Sequence, residues 1–256
     1  MRVSFVKMHG LGNDFVVLDG RDQVLPPVDA ALARALADRY TGIGCDQLIV
    51  LGPSAEADFT MRIFNPDGSE VEACGNATRA VTLLHGGPAR IATAGGLLSA
   101  RPEAEGVAAE MGAPRLEWQQ IPLAYAMDTL SLPVGWEELE TPVAVNIGNP
   151  HVVFFVPDCD AVDLDRLGPL IEHDPLFPQR INVNVATITG RDAIRLRVWE
   201  RGAGLTRACG TGACAAVVTG IRRDLLDSPV RVTTRGGDLT IAWGGPGRPV
   251  LMSGPA

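Results

Sequence analysis

The sequence predicts an α+β fold built from two similar domains, and three observations carry that expectation. The chain repeats itself, each half holds several strand-like apolar runs, and each half holds one helical candidate that opens on the same tripeptide. Ala-Cys-Gly occurs inside VEACGNATRA (71–80) and again inside TRACGTGACA (206–215), in a chain of 256 residues with only five cysteines.

The repeat extends well beyond the tripeptide. RIFNPDGSEVEACG (62–75) aligns with RVWERGAGLTRACG (197–210), so that Arg62 falls on Arg197, Ile63 on Val198 and Phe64 on Trp199. Upstream, GNDFVV (12–17) matches GNPHVV (148–153); downstream, RIATAGGLLS (90–99) matches RVTTRGGDLT (231–240). Three blocks in the same order, at offsets of 135, 136 and 141 residues, mark a duplication. A two-fold repeat of this length is not a solenoid. The length suffices for two medium domains with a substantial core. The Pro-rich stretch from Pro114 to Pro142 holds the boundary, and the expected domains are 1–118 and 119–256, with one cysteine motif in each.

The elements of the two halves read alike. VSFVKM, QLIVLG and FTMRIF in the first half, and PVAVNI, VVFFVP and IRLRVW in the second, are Val- and Ile-rich runs bounded by turn residues and read as strands. After each Ala-Cys-Gly comes a helix: ATRAVTLLHGG, closed by Gly86-Gly87, and GACAAVVTGIRRDLL, with Arg222 and Arg223 in its later turns. Asn76 and Thr211 are equivalent and suited to cap these helices. Each cysteine then stands just before a helix N-terminus.

Composition excludes several classes. A net charge of −8 without a Lys/Arg cluster argues against nucleic acid or an anionic membrane as partner. No apolar stretch resembles a signal peptide or a membrane span. The cysteines (Cys45, Cys74, Cys159, Cys209, Cys214) are odd in number and form no CxxC pair, so neither a zinc ribbon nor a disulfide framework is expected. Reduced thiols in the cytoplasm, with no metal site, are the natural expectation.

The placement of the two repeated cysteines points to chemistry. Only a thiolate is a useful base, and helix N-terminal N–H groups favour it. Those same N–H groups, with glycine allowing close approach, form an anion site for a carboxylate. Two such units across a cleft would place one thiol on each side of a shared ligand. Inverting a carbon stereocentre by proton transfer needs a base on one face and an acid on the other, exchanging roles in the reverse direction. Matched cysteines supply that pair, and fixed N–H dipoles would stabilise charge developing on the ligand's carboxylate. Nothing points to a pyridoxal site, and no cofactor is expected.

The motifs KMHGLGNDFVVLDG (7–20), GIGCDQLIV (42–50), RIFNPDGSEVEACGNATR (62–79), GNPHVV (148–153), INVNV (181–185) and VWERGAGLTRACGTGACAA (198–216) strongly resemble the diaminopimelate epimerase family. The resemblance runs from the N-terminus to about Met252. It implies an α+β fold in which each domain is a curved, mostly antiparallel sheet wrapped around a central helix. It also implies a cofactor-independent cytoplasmic homodimer that interconverts LL- and meso-2,6-diaminopimelate for lysine and peptidoglycan precursor synthesis.

Carried over by residue, Cys74 and Cys209 match the family's acid/base pair, and His151 and Glu200 match groups that support it. Asn13, Gln47, Asn65, Asn149 and Asn182 match its substrate-binding amides, as do Glu200 and Arg201. Gly75-Asn76 and Gly210-Thr211 match its carboxylate-binding turns. The duplication gives some of these an independent rationale, because Asn13 falls on Asn149 and Asn65 on Glu200. Diaminopimelate carries a second amino-acid group, and Arg201 can pair its distal carboxylate while Glu200 serves the ammonium.

Each of these residues also has a plainer explanation. An isolated cysteine is usually a packed core residue, which is the reading given to Cys45, Cys159 and Cys214. A lone histidine is more often structural, an Asn after Gly is often a turn residue, and adjacent charges such as Glu200-Arg201 are often solvated. The sequence departs from the family at Cys45, at Ala77-Thr78, at Thr211 and in the ending LMSGPA. Competing functions are a racemase of proline, hydroxyproline or a basic amino acid, a thiol–disulfide protein, and an inactive binding module. Arg201 discriminates the first, the amide set argues against the second, and the presence of both cysteines argues against the third.

Overall fold

The structure, a computed structural model, describes residues 2–72, 74–104 and 106–255. Ala73, the first residue of the first Ala-Cys-Gly, lies outside the described residues. The chain divides into two compact units, Met1–Ala109 with Pro255–Ala256, and Glu110–Gly254.

The first unit contains β1 (Val6–Gly10), β2 (Asn13–Asp19), α1 (Ala30–Ala37), β3 (Gln47–Gly52), β4 (Phe59–Phe64), β5 (Glu70–Val71), α2 (Gly75–His85), β6 (Ala89–Thr93), β7 (Gly96–Glu103) and all but the last residue of β8 (Gly106–Glu110). A 3-10 turn, Trp118–Gln120, and a small hairpin of β9 (Gly135–Trp136) and β10 (Leu139–Glu140) follow. The second unit then repeats the first: β11 (Val143–Asn146), β12 (Pro150–Phe155), α3 (Leu164–Glu172), β13 (Asn182–Gly190), β14 (Ala193–Glu200), β15 (Gly204–Thr206), α4 (Gly210–Arg222), β16 (Val230–Thr234), β17 (Gly237–Trp243) and β18 (Val250–Gly254).

Pairing repeats as well as order. In the first unit β1–β2, β3–β4, β4–β5 and β6–β7 are antiparallel, while β2–β3 and β4–β6 are parallel. In the second, β11–β12, β13–β14, β14–β15 and β16–β17 are antiparallel, while β12–β13 and β14–β16 are parallel. Even the register agrees: Phe64 pairs with Glu70 and Trp199 with Leu205, at the 135-residue offset of the sequence repeat. The α+β architecture, the duplication and the predominance of antiparallel pairs are as the sequence implied.

The two helices that follow the cysteines are interior elements. Gly75–Thr82 of α2 and Gly210–Gly220 of α4 are buried throughout. Both stretches are rich in Ala, Gly, Thr and Val, small side chains that let strands approach on every side; a helix without a polar face belongs in a core. Ala77, Ala80 and Val81 pack against Phe15, Val17, Ile49 and Ile63. The intervening residues Val16, Leu18 and Leu48 point the other way, onto Ala33 and Ala37 of α1 and onto Cys45. Helices on both faces explain why β3, QLIVLG, reads as a continuous apolar run instead of an alternating one. In the second unit α3 lays Leu164, Leu167 and Ile171 against Val152, Phe154, Val183 and Val185. Cys45, Cys159 and Cys214 are all buried packing residues, as expected, and burial pushes the Cys45 thiol up. Among the described residues no helix is long and apolar enough to cross a membrane.

One close approach ties α3 to the strand that leads into Glu200. A Cβ on Gly168 would lie 2.5 Å from the Trp199 ring, so only glycine fits beneath that indole. Gly168→Ala is expected to lower stability by about 1–3 kcal/mol through overpacking. Urea unfolding should show the midpoint falling, and an unchanged midpoint would mean the indole moves freely.

Candidate active site

The sequence placed Asn76 and Thr211 at the helix caps; the structure places the cysteines there. Cys74 caps α2 with extended backbone, and its Sγ accepts the Ala77 N–H at 3.4 Å. Cys209 caps α4 in the same way, its Sγ accepting the Gly212 N–H at 3.4 Å. The reason is geometric: the thiol occupies the place of a Ser or Asp side-chain oxygen, so the sulfur takes over the capping bond. Asn76 and Thr211 become the second helical residues, and the N–H groups of positions 75–76 and 210–211 lie outside the intrahelical ladder. Each sulfur thus faces the positive end of a helix dipole, which favours negative charge upon it.

In the first unit, the β1–β2 hairpin delivers Asn13. Its two turn residues, Leu11 (φ 55°) and Gly12 (φ 84°), both adopt the left-handed conformation that a tight type I′ turn demands. Asn13 Oδ1 accepts from Asn76 Nδ2 at 3.2 Å and from the Cys74 thiol at 3.8 Å, while Asn13 Nδ2 donates to Asp46 Oδ2 at 3.3 Å. At the other end of this chain Arg79, fully buried, donates to Asn76 Oδ1 at 2.8 Å, to the Gly75 carbonyl at 3.4 Å and to the Pro255 carbonyl at 3.0 Å. Asp46 itself sits in a charged cluster with Arg39, Asp14 and Lys7. Burial pushes Asp14 up, but Arg39, Lys7 and the Asp46 contacts outweigh it and hold the carboxyl well below the usual range. Gln47 Nε2 donates to Asn65 Oδ1 at 3.2 Å, and Asn65 Nδ2 donates to Ser69 Oγ at 3.3 Å. Gln47 Oε1 is buried without a partner among the described residues, an acceptor suited to an ammonium group.

In the second unit, the turn before β12 delivers Asn149 behind Gly148 (φ 91°), as Gly12 precedes Asn13. His151, fully buried on β12, bonds Asn149 Oδ1 through Nε2 at 2.8 Å and Asn184 Nδ2 through Nδ1 at 3.2 Å. Asn182, its parallel neighbour on β13, donates to the Pro150 carbonyl at 2.8 Å and accepts the Arg201 N–H at 3.0 Å. Glu200 ends β14 and accepts from Thr206 Oγ1 at 2.6 Å; Arg201 donates to the Gln179 carbonyl at 3.1 Å. Near Cys209 Sγ lies Thr211 Oγ1, at 3.5 Å.

Each unit therefore carries its own share of the expected residues, in smaller bonded groups: Asn13, Cys74 and Asn76 with Gly75, and Gln47 with Asn65, in one; Asn149 with His151, Asn182 with Arg201, Glu200, and Cys209 with Gly210 and Thr211 in the other. Sequence reasoning missed the residues that hold them. Asp46 and Arg79 lie inside quoted motifs, where a charge next to amides was a usable signal. Glu172 gave none: buried on α3, it accepts from Trp199 Nε1 at 2.7 Å and from the Gly202 N–H at 3.0 Å, fixing the turn that presents Glu200 and Arg201.

The fold defines a class before it defines a family. Hydroxyproline epimerase from Agrobacterium vitis superposes with a TM-score of 0.69 at 17% identity, over 98% of this chain and 88% of that one. A phenazine biosynthesis protein from Bacillus anthracis gives 0.68 at 16% identity, over 98% and 95%. The protein thus has the duplicated two-domain fold found in these proteins. The family follows from closer likenesses: the family model for diaminopimelate epimerase matches residues 5–117 and 143–256. Diaminopimelate epimerase from Erythrobacter litoralis is 65% identical over all of this chain and 95% of its own length, and that from Rhizorhabdus wittichii is 68% identical over all of this chain and 93% of its own. The chain belongs to the diaminopimelate epimerase family.

The buried imidazole carries a pH signature. Burial depresses His151 from 6.5 to about 3, the Asn184 bond opposing and the Arg201 charge adding to the shift. Between those values the unfolded chain binds a proton that the native state does not. Stability is therefore full above about pH 6.5 and falls as pH drops toward 3, by up to about 1.4 kcal/mol per pH unit from this group. Urea unfolding at a series of pH values should show this slope in the wild type and a shallower one in His151→Gln.

Proposed function

We propose that the protein interconverts LL- and meso-2,6-diaminopimelate by proton transfer at the α-carbon, with Cys74 and Cys209 as the two exchanging groups. The observation that carries this reading is that both units present the same cysteine, as the cap of a buried helix. The diaminopimelate epimerase relatives support the choice of substrate. One cysteine, as thiolate, takes the α-proton and becomes a thiol; the electron pair left on carbon delocalises into the adjacent carboxylate. The other thiol gives its proton to the opposite face and becomes a thiolate, and the reverse reaction exchanges the roles. The N–H groups at Gly75-Asn76 and Gly210-Thr211 stabilise the carboxylate as charge develops on it.

The distal amino-acid group is assigned to Arg201 for its carboxylate and to Glu200 for its ammonium, with Asn65, Asn149 and Asn182 completing the hydrogen bonds. Asn182 also acts through Arg201, whose backbone it holds. Asn13 and Gln47 serve the reacting end. A cytoplasmic homodimer working in lysine and peptidoglycan precursor synthesis is part of the same proposal and rests on the family resemblance.

The test is turnover of LL-diaminopimelate by reduced protein in D₂O. Formation of the meso isomer carrying solvent deuterium at the α-carbon is expected, with Cys74→Ala and Cys209→Ala each slowed by at least about 10²–10⁴-fold. Full activity in either variant would overturn the two-base reading. Arg201→Ala is expected to raise KM by about 10- to 100-fold, the scale of charge-assisted hydrogen bonds worth about 1.5–3 kcal/mol. An unchanged KM, or turnover of proline or hydroxyproline instead, would favour the smaller-substrate racemase.

A further inference from the structure

We infer that Asn184 is a positioning residue that fixes the direction of a hydrogen-bond chain through His151 and thereby makes Asn149 a donor toward its ligand. The chain starts at backbone. Asn184, fully buried on β13, places its Nδ2 2.9 Å from the Val152 carbonyl oxygen, 3.3 Å from that of Asn182 and 3.2 Å from His151 Nδ1. Carbonyl oxygens only accept, so nitrogen has to face them; turning the amide over would set oxygen against two oxygens. Asn184 therefore donates, and His151 Nδ1 accepts.

The rest of the direction follows from that. A fully buried imidazole stays neutral, so with Nδ1 accepting, its single proton is on Nε2. Nε2–H donates to Asn149 Oδ1 at 2.8 Å. That leaves the Asn149 amide nitrogen, a donor, as what this half-buried residue offers a ligand. A group meeting it has to accept: a carboxylate oxygen fits and an ammonium does not.

A second observation shows what this orientation costs. Asn184 Oδ1 is buried and has no partner among the described residues. It abuts the first turn of α4, where a Cβ on Gly212 would lie 2.6 Å from Oδ1 and 3.3 Å from Cys209 Cβ. An amide kept only for stability would bond at both ends. Here the acceptor end is given up so that the donor end can set the histidine, and Gly212 supplies the room.

The ligand side of this inference rests on the function proposed above, whereas the tautomer does not. The first measurement is therefore made without substrate: two-bond ¹H–¹⁵N correlation of reduced, ¹⁵N-histidine-labelled protein, with the four histidines resolved by His151→Gln. His151 is expected as a single tautomer, unprotonated at Nδ1 and protonated at Nε2. A protonated Nδ1, or a mixture, overturns the inference whether or not any variant folds. The second measurement is N184L, expected to show mixed tautomers and a KM for diaminopimelate raised about tenfold, with kcat changed much less. A pure Nε2–H tautomer or a wild-type KM in that variant overturns it too. The expected tautomer in the wild type, combined with no turnover of diaminopimelate, would refute the substrate assignment and leave the relay standing.

Discussion

Two sulfur atoms close two helix ends, and the architecture is organised around that fact. A helix buried on all sides has to satisfy its N-terminal donors within the protein. Ser, Thr, Asp or Asn would do so with a harder acceptor. Cysteine at 74 and 209 does it with a bond of 3.4 Å in each case, the long bond that a larger, softer atom makes. Capping with sulfur makes the end of the helix and the proposed acid/base group the same atom, so anything that holds the helix also aims the thiol. The small residues that follow serve that constraint: with Ala, Gly and Thr in the first turns, strands can close around a helix whose position is set by core packing.

Beside Cys74 the amides are held at one end by groups with a single hydrogen-bonding sense. Asp46 can only accept, which turns Asn13 Nδ2 toward it and Oδ1 toward Asn76 and Cys74. Arg79 can only donate, which turns Asn76 Oδ1 toward it. An amide can present either a donor or an acceptor to a ligand, and charged or backbone partners remove that choice before any ligand arrives. Such preorganisation lets polar groups act on developing charge without first reorienting. The buried Arg79 guanidinium also braces the Gly75 carbonyl, so one residue fixes both parts of the Gly75-Asn76 turn.

Much of this was legible in the sequence, and what was not has a physical reason. QLIVLG and FTMRIF are β3 and β4 residue for residue, because continuous apolar runs between turn residues have few other fates. The strands β2 and β13 were less evident: both open on asparagines that belong to the site, and polar residues in a strand mask its pattern. The helix starts were misplaced by two residues because capping preferences favour Asn and Thr over Cys. The supporting residues were out of reach for a different reason. Glu172 meets Trp199 across 27 positions and Asn184 meets His151 across 33; no local pattern encodes such partners.

The two units keep one scaffold and differ in what lines it, and that difference matches the two ends of the proposed substrate. The elements proposed to serve the reacting carbon are duplicated: a capping cysteine and a glycine after it. Inverting a stereocentre requires matched groups on opposite faces, so selection has reason to keep both copies alike. The distal amino-acid group imposes no such symmetry. Glu200 and Arg201 align with Asn65 and Pro66 of the first unit, so the charged pair exists in one copy only, braced there by Glu172, Thr206 and Asn182. Asn13 and Asn149 diverge in the same manner, one set by a carboxylate and the other by an imidazole. On the proposed reading, the duplicated fold stays symmetric at the cysteines that exchange the proton and becomes asymmetric at the residues that recognise the rest of the substrate, as inverting one centre of a molecule with a second amino-acid group requires.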